Sequence, residues 1–173
     1  MRNAKFKVRN EGIDCTAIDE LKLKGEKIKM KIAIGADHGA FELKEVLKEY
    51  LLNKGYEILD CGTYDLNSVD YPDIAEKTAK HLTDGSCEKG ILLCGTGIGI
   101  SIAANKIDGI RAALCTNEYC AKMSRNHNNA NILCMGARVT GVELAKSILD
   151  TFLKEEFEGG RHQVRVDKIM KLK

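Results

Sequence analysis

The chain has no excess of charge of either sign, no C-x-x-C pair and no long hydrophobic run, and each absence removes a class of protein. Its 27 Lys and Arg stand against 25 Asp and Glu, a formal charge of +2. That balance gives no general electrostatic attraction to nucleic acid or to a membrane surface, so any partner is recognised locally. No apolar run approaches the roughly 20 residues that a membrane-spanning helix needs. The amino terminus has no signal-peptide core, and the protein is expected to stay in the cytoplasm. The seven cysteines, Cys15, Cys61, Cys87, Cys94, Cys115, Cys120 and Cys134, are odd in number and irregularly spaced. Neither a disulfide framework nor a zinc site follows from that spacing. They are read as reduced thiols, with Cys94, Cys115 and Cys134 finishing or sitting in apolar runs where a buried cysteine serves as packing.

What is present suits one globular domain. At 173 residues the chain is long enough to bury a core, and nothing calls for a second domain. Residues 1–29 are polar, Lys-rich and weakly patterned, whereas Met30 opens MKIAIGADHG in the manner of a natural start. Residues 1–29 are read as an amino-terminal extension, poorly ordered or non-native, and residues 30–173 as the single folded domain.

From Met30 the pattern alternates between two periods. KIAIGA (31–36), YEILDCG (56–62), GILLC (90–94), IRAALC (110–115) and NILCMGA (131–137) are short, largely apolar runs, as expected of strands buried on both faces. Helical stripes lie between them. Leu43, Val46, Leu47, Tyr50 and Leu51 recur at i, i+3, i+4, i+7 and i+8 before Gly55. Asp70 as a cap and Pro72 in the first turn open a helix to about Leu82. Residues 98–106 and Glu118–Arg125 supply two more. Thr140 and Glu143 read as a capping box for a helix to about Glu155, and after Gly159-Gly160 a basic helix runs from Arg161 to Lys171. This alternation predicts an α/β fold: a doubly wound three-layer sandwich whose five-stranded parallel sheet carries helices on both faces. Ligands bind such sheets beyond the carboxyl ends of the strands. Asp37 and His38 after the first strand, Cys94 after the third, and the loop before the fifth are therefore expected at one location.

The stretch GILLCGTGIGISIAANK (90–106) carries the sharpest chemical signal. A buried strand ends in Cys94, passes through Gly95, Gly97 and Gly99, and becomes a small-residue helix. Unpartnered backbone N–H groups and the helix dipole make such a turn attractive to an acid, a phosphate or an enolate. The same field favours thiolate over thiol, so Cys94 is a candidate reactive residue. Ile100 stands where a dinucleotide fingerprint needs a later glycine, and no G-K-[ST] ending makes a P-loop. The plain alternative is a structural turn, although Thr96 and Ser101 add hydroxyls that such a turn does not need.

Other polar residues offer complementary chemistry, each with a solvated-surface alternative. His38 follows Asp37 directly, and His127 lies in the polar run SRNHNNAN. His81 reads as surface, and His162 receives no role. Arg161 and Arg165, four apart on a helix, project from one face, where two guanidinium forks suit a phosphate. Arg138, just past the fifth strand, is placed to join them. Tyr71 lines the pocket or packs beneath the loop. Together these groups describe a phosphate clamp at one end and a thiolate facing a carbon acid at the other. Loss of the proton alpha to a carbonyl yields an enediolate, which each well-placed amide stabilises by about 3 kcal/mol. The chemistry calls for neither a metal nor an organic cofactor.

GADHGAFELK, DYPD, CGTGIGISIAANK, SRNHNNANIL and EFEGGRHQVRV resemble the ribose-5-phosphate isomerase B family over essentially all of residues 30–173. That family also contains allose-6-phosphate isomerases and the subunits of galactose-6-phosphate isomerase. The resemblance implies the same sandwich and a metal-free interconversion of ribose 5-phosphate and ribulose 5-phosphate in the pentose phosphate pathway, with a hexose phosphate as the alternative substrate. It also implies homodimers or tetramers with active sites shared between subunits. Cys94 would be the base that moves the proton between C1 and C2, Thr96 its assistant at the neighbouring oxygen, and Gly95, Gly97, Ile98 and Gly99 the anion-binding backbone. His127 would open the furanose, while Asp37 and Asn128 hold sugar hydroxyls. His38, Arg138, Arg161 and Arg165 match the phosphate ligands, some of them from the second subunit. One branch of the family places a glutamate base at the position of Ile100 and lacks the cysteine; this chain has Cys94 and falls in the thiol branch.

Overall fold

A computed structural model describes residues 30–172, so the extension expected over residues 1–29 lies outside the described residues. The elements follow the expected alternation: β1 (Lys31–Ala36), a 3-10 turn (His38–Ala40), α1 (Phe41–Asn53), β2 (Glu57–Asp60), α2 (Tyr71–Thr83), β3 (Lys89–Cys94), α3 (Ile98–Ala104), β4 (Ala112–Leu114), α4 (Glu118–Asn126), β5 (Ile132–Gly136), α5 (Val142–Lys154) and α6 (Arg161–Ile169). The five strands form one parallel sheet in the order β2-β1-β3-β5-β4.

Alternate strand residues face opposite layers. Ile32, Ile34, Ile91, Leu93, Leu133 and Met135 pack with Leu43, Leu47 and Leu51 of α1, Ala121 of α4, and Ile148, Leu149 and Phe152 of α5. On the opposite face Leu92, Cys94, Ile132 and Cys134 meet Ala75 and Ala79 of α2 and Ile100 and Ala104 of α3. Helices therefore cover both faces, giving the expected three-layer sandwich. Among the described residues no helix is long and apolar enough to cross a membrane.

The local signals at two helix starts differ from expectation. Asp70 occupies the cap position of α2, and Pro72 lies in the first turn, but the Asp70 side chain makes no cap hydrogen bond. The Thr140/Glu143 capping box does not form, because Gly141 is the cap residue of α5 and no side chain caps it. Thr140 is instead buried in the turn after β5, where its N–H donates to Gly136 O at 3.0 Å. Glu143 pairs with Lys146 at 2.9 Å.

Strand register decides where the functional residues lie. Gly90 pairs with Ile132 at the amino end of β3 and β5, and Cys94 pairs with Gly136 at the carboxyl end. The segment before β5 is thus at the amino end of the sheet. Four strand rises from Gly90 to Cys94, about 13 Å, separate the two ends.

Candidate active site

At the carboxyl end of β3 the chain turns through Gly95, Thr96 and Gly97 into α3. Cys94 is largely buried, and its Sγ accepts the N–H of Gly97 at 3.1 Å. Gly97 has φ +78°, and a Cβ there would lie 2.5 Å from Leu114 Cδ1 and 2.8 Å from the Met135 carbonyl carbon. Backbone conformation and the closeness of β5 both require glycine. Thr96 is exposed, and its Oγ1 accepts the Ile98 N–H at 3.4 Å. Ile98 opens the helix with its side chain exposed. The Tyr71 ring lies over Gly99, where a Cβ would come within 2.7 Å of Cζ. Tyr71 thus borders the glycine turn.

The ends of β1 and β5 complete this half of the site. The Arg138 N–H donates to Gly95 O at 3.0 Å. Its guanidinium lies across Gly95 and Gly39, since a Cβ at Gly95 would be 3.3 Å from Nε and one at Gly39 3.3 Å from Nη2. Asp37 is buried, and its Oδ1, which faces Gly39, makes no hydrogen bond among the described residues. A buried carboxylate oxygen without a donor is costly unless a ligand supplies one. His38 Nδ1 accepts the Val69 N–H at 3.3 Å, so the neutral ring carries its proton on Nε2. A cleft of about 530 Å³ opens beside these groups, running from His38 and Gly39 to Ala137 and Thr140.

The remaining predicted residues are elsewhere. His127 and Asn128 follow α4, before β5, at the amino end of the sheet. The expectation that this loop joins Cys94 within one protomer is therefore incorrect: the segment preceding a parallel strand sits at the end opposite the segment following its neighbour. The His127 ring stacks on His162 with centroids 4.1 Å apart and planes inclined by 6°. Arg161 and Arg165 are exposed on α6, as their spacing predicts. His162 and Val166, each one residue further along, form the buried face of that helix. His162, which received no role from sequence, is thus part of the cluster around His127. Helical spacing gave that signal, because an outward 161/165 pair turns 162 and 166 inward.

One chain therefore presents two groups of residues. Asp37, His38, Tyr71, Cys94, Gly95, Thr96, Gly97, Ile98, Gly99 and Arg138 gather at the carboxyl end of the sheet, and His127, Asn128, Arg161 and Arg165 lie outside that group. A family model described as ribose/galactose isomerase matches residues 32–169.

The chain belongs to the ribose/galactose isomerase family. It is an enzyme, an isomerase. Among its relatives in this family, ribose-5-phosphate isomerase B of Escherichia coli (strain K12) is 50% identical over 139 residues, covering 80% of this chain and 93% of that one. D-erythrulose-4-phosphate isomerase of Pectobacterium atrosepticum is 48% identical over 142 residues, covering 81% and 93%. Solved structures are similarly close. Ribose-5-phosphate isomerase B of Clostridium thermocellum superposes with a TM-score of 0.81 at 57% identity, covering 82% of this chain and 96% of that one. The Thermotoga maritima ribose 5-phosphate isomerase gives 0.82 at 55% identity, with coverage of 83% and 99%.

Proposed function

We propose that this isomerase interconverts ribose 5-phosphate and ribulose 5-phosphate through an enediolate, with Cys94 as the base. Acting as thiolate, Sγ takes the C2 proton of the open-chain aldose, and the electron pair moves toward the C1 carbonyl oxygen. The enediolate oxygens face the amides of the Gly95–Gly99 turn, with the Thr96 hydroxyl passing a proton between them. Return of the proton from sulfur to C1 completes the ketose. Asp37 and Asn128 hold sugar hydroxyls, His127 opens the furanose, and His38, Arg138, Arg161 and Arg165 hold the phosphate.

The observation that carries this reading is the Cys94 sulfur bonded to the Gly97 amide beside the unpartnered carboxylate of Asp37 and the guanidinium of Arg138. The separation of the two residue groups supports a homodimer, or a tetramer of dimers, in which His127, Asn128, Arg161 and Arg165 of a second copy complete the site. Such an arrangement matches the isologous interface of a two-fold dimer. The same reading makes the enzyme cytoplasmic.

A hexose phosphate, longer by one hydroxymethyl group, is the second reading, supported by the description of the matching family as ribose/galactose isomerase. Discrimination by one such group in a pocket is modest. Turnover of ribose 5-phosphate in deuterium oxide tests the proposal, with deuterium expected at C1 of ribulose 5-phosphate. Absence of both turnover and exchange overturns the enzymatic reading, and a strong preference for allose 6-phosphate in parallel rate measurements overturns the pentose assignment.

A further inference from the structure

At the amino end of the sheet the turn between α5 and α6 is tied to the end of α4. The Glu158 N–H donates to Asn126 O at 3.0 Å, and Asn126 Nδ2 donates to Glu156 O at 2.6 Å. This attachment brings the buried His162 ring flat against His127, whose side chain is 37% exposed. The Glu158 carboxylate meets both rings, its Oε2 lying 4.0 Å from His127 Nε2 and 3.7 Å from His162 Nε2.

The two rings are not equivalent toward that carboxylate. Arg161 Nε donates to His162 Nε2 at 3.4 Å, so the lone pair of that nitrogen is engaged and the neutral ring carries its proton on Nδ1. Glu158 Oε2, 4.0 Å from His127 Nε2, is beyond direct hydrogen-bond distance and acts on that edge as a negative charge. Burial pushes the His162 imidazolium down in pH, and the neighbouring His127, Arg161 and Arg165 add to that against Glu158, so the stack does not set two cations face to face. Lys122 and Glu155, 3.9 Å apart, form a further charged pair at this junction, and Arg125 and Glu156 also interact there. Parallel rings carry their in-plane lone pairs side by side rather than toward one centre, which suits alignment of a ring better than a metal cage.

We propose that His162 and Glu158 are positioning residues for furanose opening: His162 is the wall that sets the plane of the His127 ring, and Glu158 sets the direction of its Nε2 edge. The inference rests on the reading of His127 as the ring-opening residue. An imidazole on an exposed loop turns about two soft torsions, and a proton-transfer group held in advance loses none of its efficiency to ordering during the reaction.

Ribulose 5-phosphate has no free C5 hydroxyl and stays open-chain. Solvent-deuterium exchange at its C1 therefore reads proton transfer alone, whereas turnover of ribose 5-phosphate also requires ring opening. Both rates are measured on the full chain as wild type, H162A, H162F, E158Q and H127A, with inorganic phosphate as a competitive inhibitor. H162A and E158Q are expected to lose about tenfold in ribose 5-phosphate turnover, a fraction of what a general acid or base contributes, while C1 exchange falls far less. H162F keeps a flat wall and is expected to recover most of the loss. Full turnover in H162A and E158Q alongside a slow H127A overturns this inference alone, as does equal loss of turnover and exchange with weakened inhibition by phosphate, which would make His162 a phosphate ligand. H162F no better than H162A also overturns it. Full turnover in H127A removes the reading of His127, and this inference with it. Glu158 has an exposed side chain, so E158Q decides the matter even where H162A fails to fold.

Discussion

Gly97 donates its backbone N–H to the sulfur of Cys94 at 3.1 Å, three residues along the chain, where β3 gives way to α3. The bond holds the thiol in one orientation, where the edge of the core beneath α2 and α3 meets the glycine turn. In the proposed reaction that sulfur carries the proton, so Cys94→Ser is expected to reduce kcat by about 10³-fold, within the range of general acid–base contributions. Binding of ribose 5-phosphate, measured by calorimetry, should change little because the phosphate ligands remain. Turnover that survives the substitution places the base elsewhere.

Gly97 also tests the turn itself. A side chain there meets the left-handed conformation, at about 1–2 kcal/mol, and a Cβ that would sit 2.5 Å from Leu114 Cδ1 and 2.8 Å from the Met135 carbonyl carbon. Gly97→Ala is expected to lower the melting temperature by several degrees in calorimetry and to displace the Cys94 sulfur enough to cut activity. A variant with wild-type Tm and kcat would show that the turn tolerates a side chain.

The order of strands and helices was legible because continuous apolar runs and helical stripes are one-dimensional signals, and the Cys94–Gly99 turn was legible because a strand end followed by spaced glycines has few other uses. Thr140 shows where such reading stops. Its spacing to Glu143 suits a capping box, yet the turn after β5 draws the Thr140 N–H to Gly136 and buries the residue. Asp70 keeps its predicted place without the predicted bond. The wrong placement of the loop before β5 came from treating it like the loops that follow strands, although the parallel direction puts it at the other end. His162 and Glu158 lie within the EFEGGRHQVRV stretch but received no role from it; their meeting with His127 depends on α4 and the α5–α6 turn coming together in space.

Lys44 is another residue whose place no pattern announced. It lies within the helical stripe of α1, fully buried, with Nζ 2.8 Å from both carboxylate oxygens of Asp60 and 2.7 Å from Thr63 O. Burial alone would raise the Asp60 carboxyl, but hydrogen bonds from Lys44, Lys48 and the Gly62 N–H outweigh it and hold the group below its ordinary value. A depressed carboxyl contributes stability that is complete above its unfolded pKa, about 3.9, and lost as pH falls through the lower folded value. Thermal melts are therefore expected to drop as pH falls below about 4. Asp60→Asn should flatten that drop while lowering Tm at pH 7 by several degrees, since it leaves the buried Lys44 Nζ with Glu45, 2.9 Å away, as its remaining carboxylate partner among the described residues. An unchanged acid limb in the variant would mean that Asp60 does not govern it.

Thiol reactivity gives an independent check on the site. Burial pushes Cys61, Cys87 and Cys115 up to about 11 and Cys134 well above its ordinary value, whereas Cys120 is exposed. Iodoacetamide at pH 8 is expected to modify Cys120 early and to leave those four thiols largely intact, as read by peptide mass spectrometry. If Cys94 faces the substrate, ribose 5-phosphate should slow its alkylation and leave that of Cys120 unchanged. Equal labelling of Cys94 with and without the sugar phosphate contradicts its place in the site.

The separation of Cys94 from His127 yields the most direct test of a shared site. Register places Cys94 at the carboxyl end and the segment before β5 at the amino end of the same sheet. If each active site takes Cys94 from one copy and His127 from another, C94S and H127A damage different members of each pair. A heterodimer of the two then has one site carrying both defects and one site carrying neither. Random exchange makes about half of the dimers mixed, each with one intact site of two, so a mixture of the two inactive variants should regain about a quarter of wild-type activity. The measurement is turnover of ribose 5-phosphate after subunit exchange, with each variant alone as control. A mixture as inactive as its components, despite exchange verified by mass spectrometry of intact dimers, would confine both residues' roles to one chain and overturn the shared-site reading.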